Sequence, residues 1–409
     1  MQKTTDAFLK AESLVNTILK NVPNISKPKR KFFLHISLLW LGLKGRYNFL
    51  NLARLGTHDE KTYRNQFEKK FPWLAYNSTF IHSVSSGNLV AAFDPSFIPK
   101  SGKLTPHKSY FWSGKDQRAL KGLEIGCLAL VDVDFHTAFH LEALQTPTPK
   151  ELKANGKTMV SHYTDYIIDC APTLCKYIKY LTVDSYFAKK EFIQPIRMVT
   201  ELHVITKLRK DANLKYYFSG SQAGGRGRKK KFEGKVDLKN PDKRKLKRVF
   251  EDEESEMYSG VVHCQFLNQA IRLVLLCYKG KNNFEVFMST DLDQDAQEIV
   301  AFYRLRYQIE FLLRDAKQNA GLEQCQARNE NSLDYHFNMA LTSVNLAKAI
   351  TILHEKNPAE SVFSMANVKT WFSNRIITDF IFSNLEIDLS CKKIKRLFQK
   401  CLDFGRIAA

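Results

Sequence analysis

The order of strand-like and helix-like segments between residues 88 and 209 constrains the fold more than any other feature of this sequence. Four apolar segments, NLVAAFD, FWSGK, LEIGCLALVDVD and FHTAFHLEAL, follow one another from Asn88 and predict an antiparallel meander. A helical segment at about 158–177 comes next, followed by the strand KYLTVDS, a helix at AKKEFIQPI and the strand ELHVITKLR. A meander followed by strands that alternate with helices predicts an α/β domain with a mixed sheet.

A basic, β-rich insertion follows this series at residues 210–288. Between Lys207 and Arg248 the chain carries 16 Lys or Arg against 4 Asp or Glu, and the strand-like segments MYSGVVHCQFL and AIRLVLLCYKGKNNFEVFMST come after it. Such a density of cations favours contact with phosphates, and a solvated loop is the alternative. The candidate phosphate-contacting residues are Arg226, Arg228, Lys229, Lys230 and Lys231.

The N-terminal segments have helical patterns. In the pair RYNFLNLARLG and THDEKTYRNQFEKKF, Thr57 with Glu60 fits a capping box that would start the second helix. The apolar packing face of that helix is predicted to consist of Tyr63, Phe67 and Phe71. The pair suits a helix-turn-helix that reads DNA, and a small helical bundle with a solvated face is the alternative.

These patterns divide the chain into five predicted segments. They are a helical N-terminal DNA-binding region (1–86), the first part of the core (87–209), the insertion (210–288), the rest of the core with a glutamate-bearing helix (289–325) and a helical C-terminal region (326–409). The fold class is therefore α/β, with a mixed-sheet core, a β-rich insertion and helical regions on both sides.

Composition limits the partners. The chain has 409 residues, 44% of them hydrophobic, and a formal charge of +20. Such a charge favours a polyanion, with nucleic acid first and an anionic membrane second. No apolar run reaches the ~18 residues of a membrane-spanning helix, and the charged start lacks the apolar core of a secretory signal. We expect no membrane association, a cytoplasmic protein and reduced thiols, because the eight cysteines include no C-x-x-C pair.

The segment YRLRYQIEFLLRDAK, residues 303–317, has an unusual polar row. A single helix advancing about 100° per residue would align Tyr303, Arg306, Glu310 and Lys317. The row borders an apolar stripe made of Phe302, Ile309, Leu313 and Ala316. Ordinary surface ion pairs at four-residue spacing are the alternative interpretation.

Three carboxylates could converge on one site. Asp94 closes the strand NLVAAFD and Asp184 closes KYLTVD, positions where α/β folds commonly carry functional groups. Each alone is more typical of a turn or cap residue. With Glu310 they could hold two Mg²⁺ ions, which catalyse phosphoryl transfer when about 3.5–4 Å apart and prefer carboxylate oxygens.

The residues Tyr303, Arg306, Glu310 and Lys317 have the spacing of the Y-R-E-K signature of bacterial DDE transposases of the insertion-sequence four family. The flanking segments FDPSFIPKSGK, LTVDSYFAKK and FLLRDAKQNAGLEQCQAR are also similar to that family. The resemblance extends over roughly residues 88–350. It implies a ribonuclease-H-like core with a β-rich insertion before the glutamate helix.

The resemblance also implies roles for individual residues. Asp94, Asp184 and Glu310 correspond to a metal-binding catalytic triad that uses two Mg²⁺ ions, for which Mn²⁺ can substitute. Tyr303, Arg306 and Lys317 correspond to residues that contact DNA phosphates near the transposon end.

The function implied is binding of terminal inverted repeats in double-stranded DNA, metal-dependent cleavage and joining of the 3′ ends to target DNA. A homodimer in a synaptic complex and a bacterial, nucleoid-associated location are expected with it. Two alternatives stay open: a ribonuclease-H-like nuclease without strand transfer, and a catalytically inactive DNA-binding descendant.

Overall fold

The computed structural model describes residues 6–222, 228–281, 283–354 and 362–407. The chain forms two compact bodies. Body 1 comprises the described residues of 1–88, 95–148 and 308–409, and body 2 comprises those of 89–94 and 149–307. The predicted α/β class is confirmed, because strands and helices follow one another along the chain in the predicted order.

The N-terminal part of body 1 is helical. Its elements are α1 (Asp6–Asn21), α2 (Lys27–Gly42), α3 (Phe49–Leu55), α4 (Glu60–Phe67) and α5 (Trp73–Val84). Tyr63 and Phe67 of the predicted packing face are buried on α4. Phe71 is buried too, but its place on this helix was predicted wrongly, because α4 ends at Phe67. The predicted capping box at Thr57 is wrong. Asp59 is the N-cap of α4, because its carboxylate accepts a hydrogen bond from the Thr62 N–H at 2.7 Å.

The predicted meander consists of β1 (Leu89–Pro99), β2 (Ser109–Ser113), β3 (Arg118–Asp132) and β4 (Thr137–Gln145). Both β2 and β4 pair antiparallel with β3. The prediction that Asp94 closes the first strand is wrong, because β1 continues to Pro99. In body 1 this extension lies against β3. A Cβ on Gly122 would come within 2.5 Å of the Ile98 carbonyl oxygen, so the close approach requires glycine.

Parallel strands form the centre of body 2. The elements are α6 (Pro149–Ala154), α7 (Met159–Leu174), β5 (Tyr180–Val183), a 3₁₀ turn (Ser185–Phe187), α8 (Lys190–Val199) and β6 (His203–Leu208). The first part of β1 pairs in parallel with β5, and β5 pairs in parallel with β6. The Phe93 ring packs against Tyr163 of α7 and Phe187 of the 3₁₀ turn, with centroids 5.0 and 5.5 Å apart.

The insertion extends this sheet. Its strands are β7 (Leu214–Tyr217), β8 (Phe232–Lys235), β9 (Lys247–Glu251), β10 (Ser255–Cys264), β11 (Gln269–Tyr278) and β12 (Phe284–Ser289). β12 pairs antiparallel with β6, so the order in body 2 is β1-β5-β6-β12-β11-β10-β7-β8, with β9 beside β10. The sheet is mixed, as predicted, because it combines parallel and antiparallel pairs.

The prediction of one helix over residues 303–317 is wrong. The chain forms α9 (Ala296–Leu305) and α10 (Gln308–Asn319), separated by a turn at Arg306 and Tyr307. The Tyr307 N–H donates to the Arg304 carbonyl oxygen at 3.1 Å, a tight bond that ends the first helix. The apolar stripe, which is continuous in the sequence, is divided between the two bodies. Its first half packs in body 2 and its second half packs in body 1.

Three further helices belong to body 1: α11 (Glu330–His354), α12 (Met365–Asn384) and α13 (Lys392–Asp403). Amide side chains of α11 pair with the backbone of β4. The Asn338 amide bonds both backbone groups of Ala143, at 2.8 and 3.0 Å. The Asn345 amide bonds those of His140, both at 2.7 Å. The helix therefore satisfies backbone groups that a strand edge would otherwise expose.

Candidate active site

Asp94 and Asp184 lie at equivalent positions on two neighbouring strands of body 2. The register of the parallel pair β1 and β5 matches Ala92 with Thr182 and Phe93 with Val183, and each aspartate is the next residue. Asp184 keeps an extended backbone, with φ −67° and ψ 160°. Neighbouring strands are about 4.8 Å apart, and residues in register point to the same face, so the two carboxylates emerge side by side.

The backbone of Asp184 is fixed by two hydrogen bonds to its carbonyl oxygen. The Thr206 hydroxyl donates to it at 3.2 Å and the Phe187 N–H donates at 2.9 Å. Thr206 lies on β6 and is fully buried. Because Thr206 is on the next strand of the sheet, it connects the position of the carboxylate to the rigid centre of body 2. Nothing in the sequence pattern marked this residue.

The last turn of α9 brings Arg306 and Tyr303 to these aspartates. Arg306 Nη1 lies 3.9 Å from Asp94 Oδ1, and the arginine side chain is 11% exposed. The Arg306 guanidinium also lies over the Tyr303 ring, 5.6 Å from its centroid. Burial raises the pKa of Tyr303 to about 12, and the negative charge of Asp184 acts in the same direction. Four of the predicted site residues, Asp94, Asp184, Tyr303 and Arg306, therefore meet within body 2.

Glu310 lies in the first turn of α10 in body 1 and is partly exposed. The positive end of the helix dipole stabilises a carboxylate at this position. Because Glu310 belongs to body 1 and the aspartates to body 2, its predicted approach to them stays a prediction.

The other end of α10 is held by residues that have no signal in the sequence. The Tyr47 hydroxyl donates to the Asn319 carbonyl oxygen at 3.0 Å, and Trp40 Nε1 donates to that of Ala320 at 3.0 Å. Lys369 Nζ in turn donates to the Tyr47 hydroxyl. Gly321 follows α10 with φ 69°, and a Cβ there would come within 2.3 Å of the Tyr47 ring. The N-terminal and C-terminal helices of body 1 thus fix the helix that carries Glu310.

Lys317 contacts protein groups within body 1. Its Nζ donates to the Phe97 carbonyl oxygen at 2.8 Å and lies 3.5 Å from Glu323 Oε1. Both of these partners are protein groups, and neither tests a contact with DNA. The predicted role of Lys317 in DNA binding therefore stays a prediction.

The donor chemistry of the aspartate pair fits a hard divalent cation. Both carboxylates are partly exposed, and side-by-side anions of this kind favour a bound cation because they repel each other. Across the described ranges, no three His, Cys, Asp or Glu side chains lie close enough together to form a complete metal site. Asp94 and Asp184 can supply part of such a site, and a third ligand would have to come from another group.

Four of the candidate basic residues directly precede β8, which pairs antiparallel with β7. Arg228, Lys229, Lys230 and Lys231 are exposed, and Arg226 lies outside the described residues. The backbone of Lys230 bonds the Gln222 side chain at 2.8 and 3.1 Å, and the Phe218 N–H donates to the Lys231 carbonyl oxygen at 3.0 Å. These hydrogen bonds therefore hold the backbone that carries Lys230 and Lys231.

A cationic groove of about 1290 Å³ crosses body 1. Its walls come from α3 and α4, from the loop after β1 and from the loop after α10. The cations that line it are Arg46, Arg64, Lys100, Lys103 and Arg328, against the acids Glu60, Glu68 and Glu323. The predicted DNA-reading helices thus share one groove with the segment that follows the Glu310 helix.

The sequence matches the model of a known protein family. The sequence model described as the transposase DDE domain matches residues 89–346, which is more than half of the chain. A search of curated proteins returned no significant match. None of the helices in the described part of the chain has the length and apolar character needed to cross a membrane.

Proposed function

The chain belongs to the family of transposases with a DDE domain, and on that premise we propose that it mobilises an insertion sequence. It binds the terminal inverted repeats of that element, cleaves the DNA there and joins the freed 3′ ends to target DNA. The Y-R-E-K spacing of Tyr303, Arg306, Glu310 and Lys317 supports assignment to the insertion-sequence four branch. Two copies act together in a synaptic complex on nucleoid DNA.

One observation carries the proposal: Asp94 and Asp184 are adjacent on parallel strands, with Arg306 and Tyr303 beside them. A pair of carboxylates next to a cation and a phenol suits a phosphodiester, because the acids bind metal and the other two groups contact phosphate oxygens. Glu310 completes the set of metal ligands. Two Mg²⁺ ions, or Mn²⁺ in their place, would supply activation of the attacking oxygen and stabilisation of the leaving one.

The chain's own residues perform the remaining tasks. Asp94 and Asp184 would hold the metal ions at positions set by their strands, and Arg306 neutralises charge on the DNA backbone beside them. Lys317 and Tyr303 retain the terminal strand after cleavage. The 3′ hydroxyl then stays in position as the next nucleophile, and such proximity lowers the barrier by several kcal/mol.

The DNA on either side of this site contacts basic surfaces. The groove lined by Arg46, Arg64 and Arg328 binds the duplex of the inverted repeat, with α4 as the reading helix. The basic residues Arg226, Arg228, Lys229, Lys230 and Lys231 of the insertion add sequence-independent affinity through release of counterions.

The decisive experiment separates a transposase from a nuclease. Duplexes taken from the DNA that flanks the coding sequence are supplied with pre-cleaved 3′ ends, together with Mg²⁺ and a target plasmid. We expect the wild-type protein to join them. Arg306→Ala and Lys317→Ala should each reduce joining more than tenfold, about 1.4 kcal/mol of barrier, and should reduce nicking less. The matched control is Lys392→Ala on α13, an exposed lysine outside the site. Cleavage by the wild type without any joining would favour the nuclease.

A further inference from the structure

The hairpin formed by β2 and β3 displays two aromatic side chains that pack in no core. Tyr110 is 65% exposed and Trp112 is 59% exposed. The other three tryptophans of the chain, Trp40, Trp73 and Trp371, are at most 4% exposed. Trp112 is therefore the single tryptophan whose indole faces solvent.

Strand geometry places both rings on one face. Along β2 the exposed Tyr110 and Trp112 alternate with the buried Phe111 and Ser113. The register pairs Trp112 with Ala119 on β3, whose small side chain leaves the indole uncovered. Among the described residues, no strand pairs with the outer edge of β2. The two rings thus form a short, open aromatic platform at a sheet edge.

The surroundings of this platform are cationic. Lys121 is the cross-strand partner of Tyr110 and is exposed on the same face. Lys115 in the turn and Arg118 at the start of β3 are also exposed. The one acid of the turn, Asp116, accepts a hydrogen bond from the Ser113 hydroxyl at 2.6 Å. The charge around the rings therefore complements an anion.

We propose that Tyr110 and Trp112 stack unpaired bases of single-stranded DNA, while Lys121 contacts an adjacent phosphate. Aromatic rings that alternate along a strand among cations are the combination that binds single strands without sequence preference. A duplex keeps its bases stacked on one another and offers this platform its phosphates alone. The site rests on the proposed function only in that DNA is the ligand, because none of its residues is assigned to metal binding or strand joining.

The platform differs from an ordinary protein-docking face by its charge. Exposed aromatic side chains are also common in protein interfaces, whose central parts are depleted of charged residues. Here Lys121 lies on the same face as the rings, and Lys115 is exposed in the turn of the same hairpin. The cations complement phosphates and the exposed rings complement unpaired bases. Single-stranded DNA offers both, and is therefore the proposed occupant.

Intrinsic fluorescence tests the proposal directly, since Trp112 is the tryptophan that a ligand can reach. The full-length protein is titrated with a 12-nucleotide oligodeoxythymidylate and, separately, with a 12-base-pair duplex, both without divalent metal. We expect the single strand to quench the tryptophan emission and the duplex to leave it nearly unchanged. The absence of metal keeps this result independent of cleavage and joining, so either proposal can fail alone.

Substitutions assign the effect to residues. Trp112→Ala and Tyr110→Ala should each weaken single-strand binding at least fivefold, about 1 kcal/mol at 1.4 kcal/mol per tenfold, and change duplex binding less than twofold. Phe380→Ala on α12 is the matched control, since Phe380 is 68% exposed, and it should bind like the wild type. Lys121→Gln should weaken the binding of the single strand and of the duplex to the same extent. Wild-type affinity in both aromatic variants, equal losses for single strand and duplex, or self-association abolished in Trp112→Ala would overturn the proposal.

Discussion

Asp94 and Asp184 each follow the last matched residue, Phe93 or Val183, of two neighbouring parallel strands. The separation of the carboxylates is therefore set by the strand spacing rather than by flexible loops. Their mutual repulsion is offset by Arg306, whose guanidinium lies 3.9 Å from Asp94. In the DNA-free protein Arg306 therefore partly compensates the negative charge that would otherwise attract a metal cation.

The first prediction concerns the carboxylates. Asp94→Ala, Asp184→Ala and Glu310→Ala should each abolish DNA cleavage, because every one of them removes a metal ligand. DNA binding, measured by fluorescence anisotropy, should stay within about threefold of the wild type, since phosphate contacts dominate affinity. Asp293→Ala, which alters an exposed aspartate in body 2, is the control and should cleave normally. Cleavage by Glu310→Ala would remove this residue from the mechanism.

The second prediction concerns Arg306 in the DNA-free protein. Its positive charge beside Asp94 opposes a bound cation, so Arg306→Gln should tighten Mn²⁺ binding, by at least threefold in titration calorimetry. The same variant should lose joining activity. Arg304→Gln changes an exposed arginine in the last turn of α9 and should leave the Mn²⁺ affinity unchanged. Weaker Mn²⁺ binding in Arg306→Gln would mean that the guanidinium instead supports the site.

The third prediction concerns the basic residues of the insertion. Replacing Arg226, Arg228, Lys229, Lys230 and Lys231 by Gln should flatten the dependence of log affinity on log salt, by about 0.9 for each DNA phosphate that the variant no longer neutralises. The control replaces five exposed cations of α13: Lys392, Lys393, Lys395, Arg396 and Lys400. An unchanged slope in the insertion variant would show that its cations are solvated.

The fourth prediction uses a partly buried acid. Burial raises the pKa of Asp334 to about 6, although Trp73 Nε1 donates a hydrogen bond to it at 3.2 Å. The folded state therefore binds a proton more tightly than the unfolded state, whose Asp has a pKa near 3.9. The free energy of unfolding should fall as pH rises from about 4 to about 7.

Asp334→Asn should remove this contribution. The difference in unfolding free energy between wild type and variant, measured by urea denaturation at pH 4, 5, 6 and 7, should shift in favour of the variant as pH rises. A difference that is constant over this range would show that Asp334 titrates alike in both states.

Local patterns in the sequence were sufficient to predict much of this fold. Apolar segments of strand length located β1 to β6, and the end of KYLTVD identified Asp184 because the strand stops there. Two errors had non-local causes. β1 runs past Asp94 because its extension meets β3, and the polar row breaks at Arg306 because the chain passes from one core to another.

The residues that support the site could not be predicted from the sequence either, because their contacts are also non-local. Thr206 reaches Asp184 from another strand, and Tyr47 contacts the end of α10 across most of the chain length. Neither has a periodic signal, since a single hydroxyl in a buried contact looks like any other core or turn residue. No sequence pattern indicated that Trp112 is exposed, because its exposure depends on the small side chain of Ala119, its partner across the hairpin.

The most direct test of the proposed metal site is a crystal structure of the protein with Mn²⁺ and a duplex end, with the metal located by anomalous scattering. We expect two Mn²⁺ peaks, about 3.5–4 Å apart, with Asp94, Asp184 and Glu310 carboxylate oxygens as ligands. Peaks held without Glu310, or carboxyl groups of any pair farther apart than about 8 Å, would contradict the mechanism.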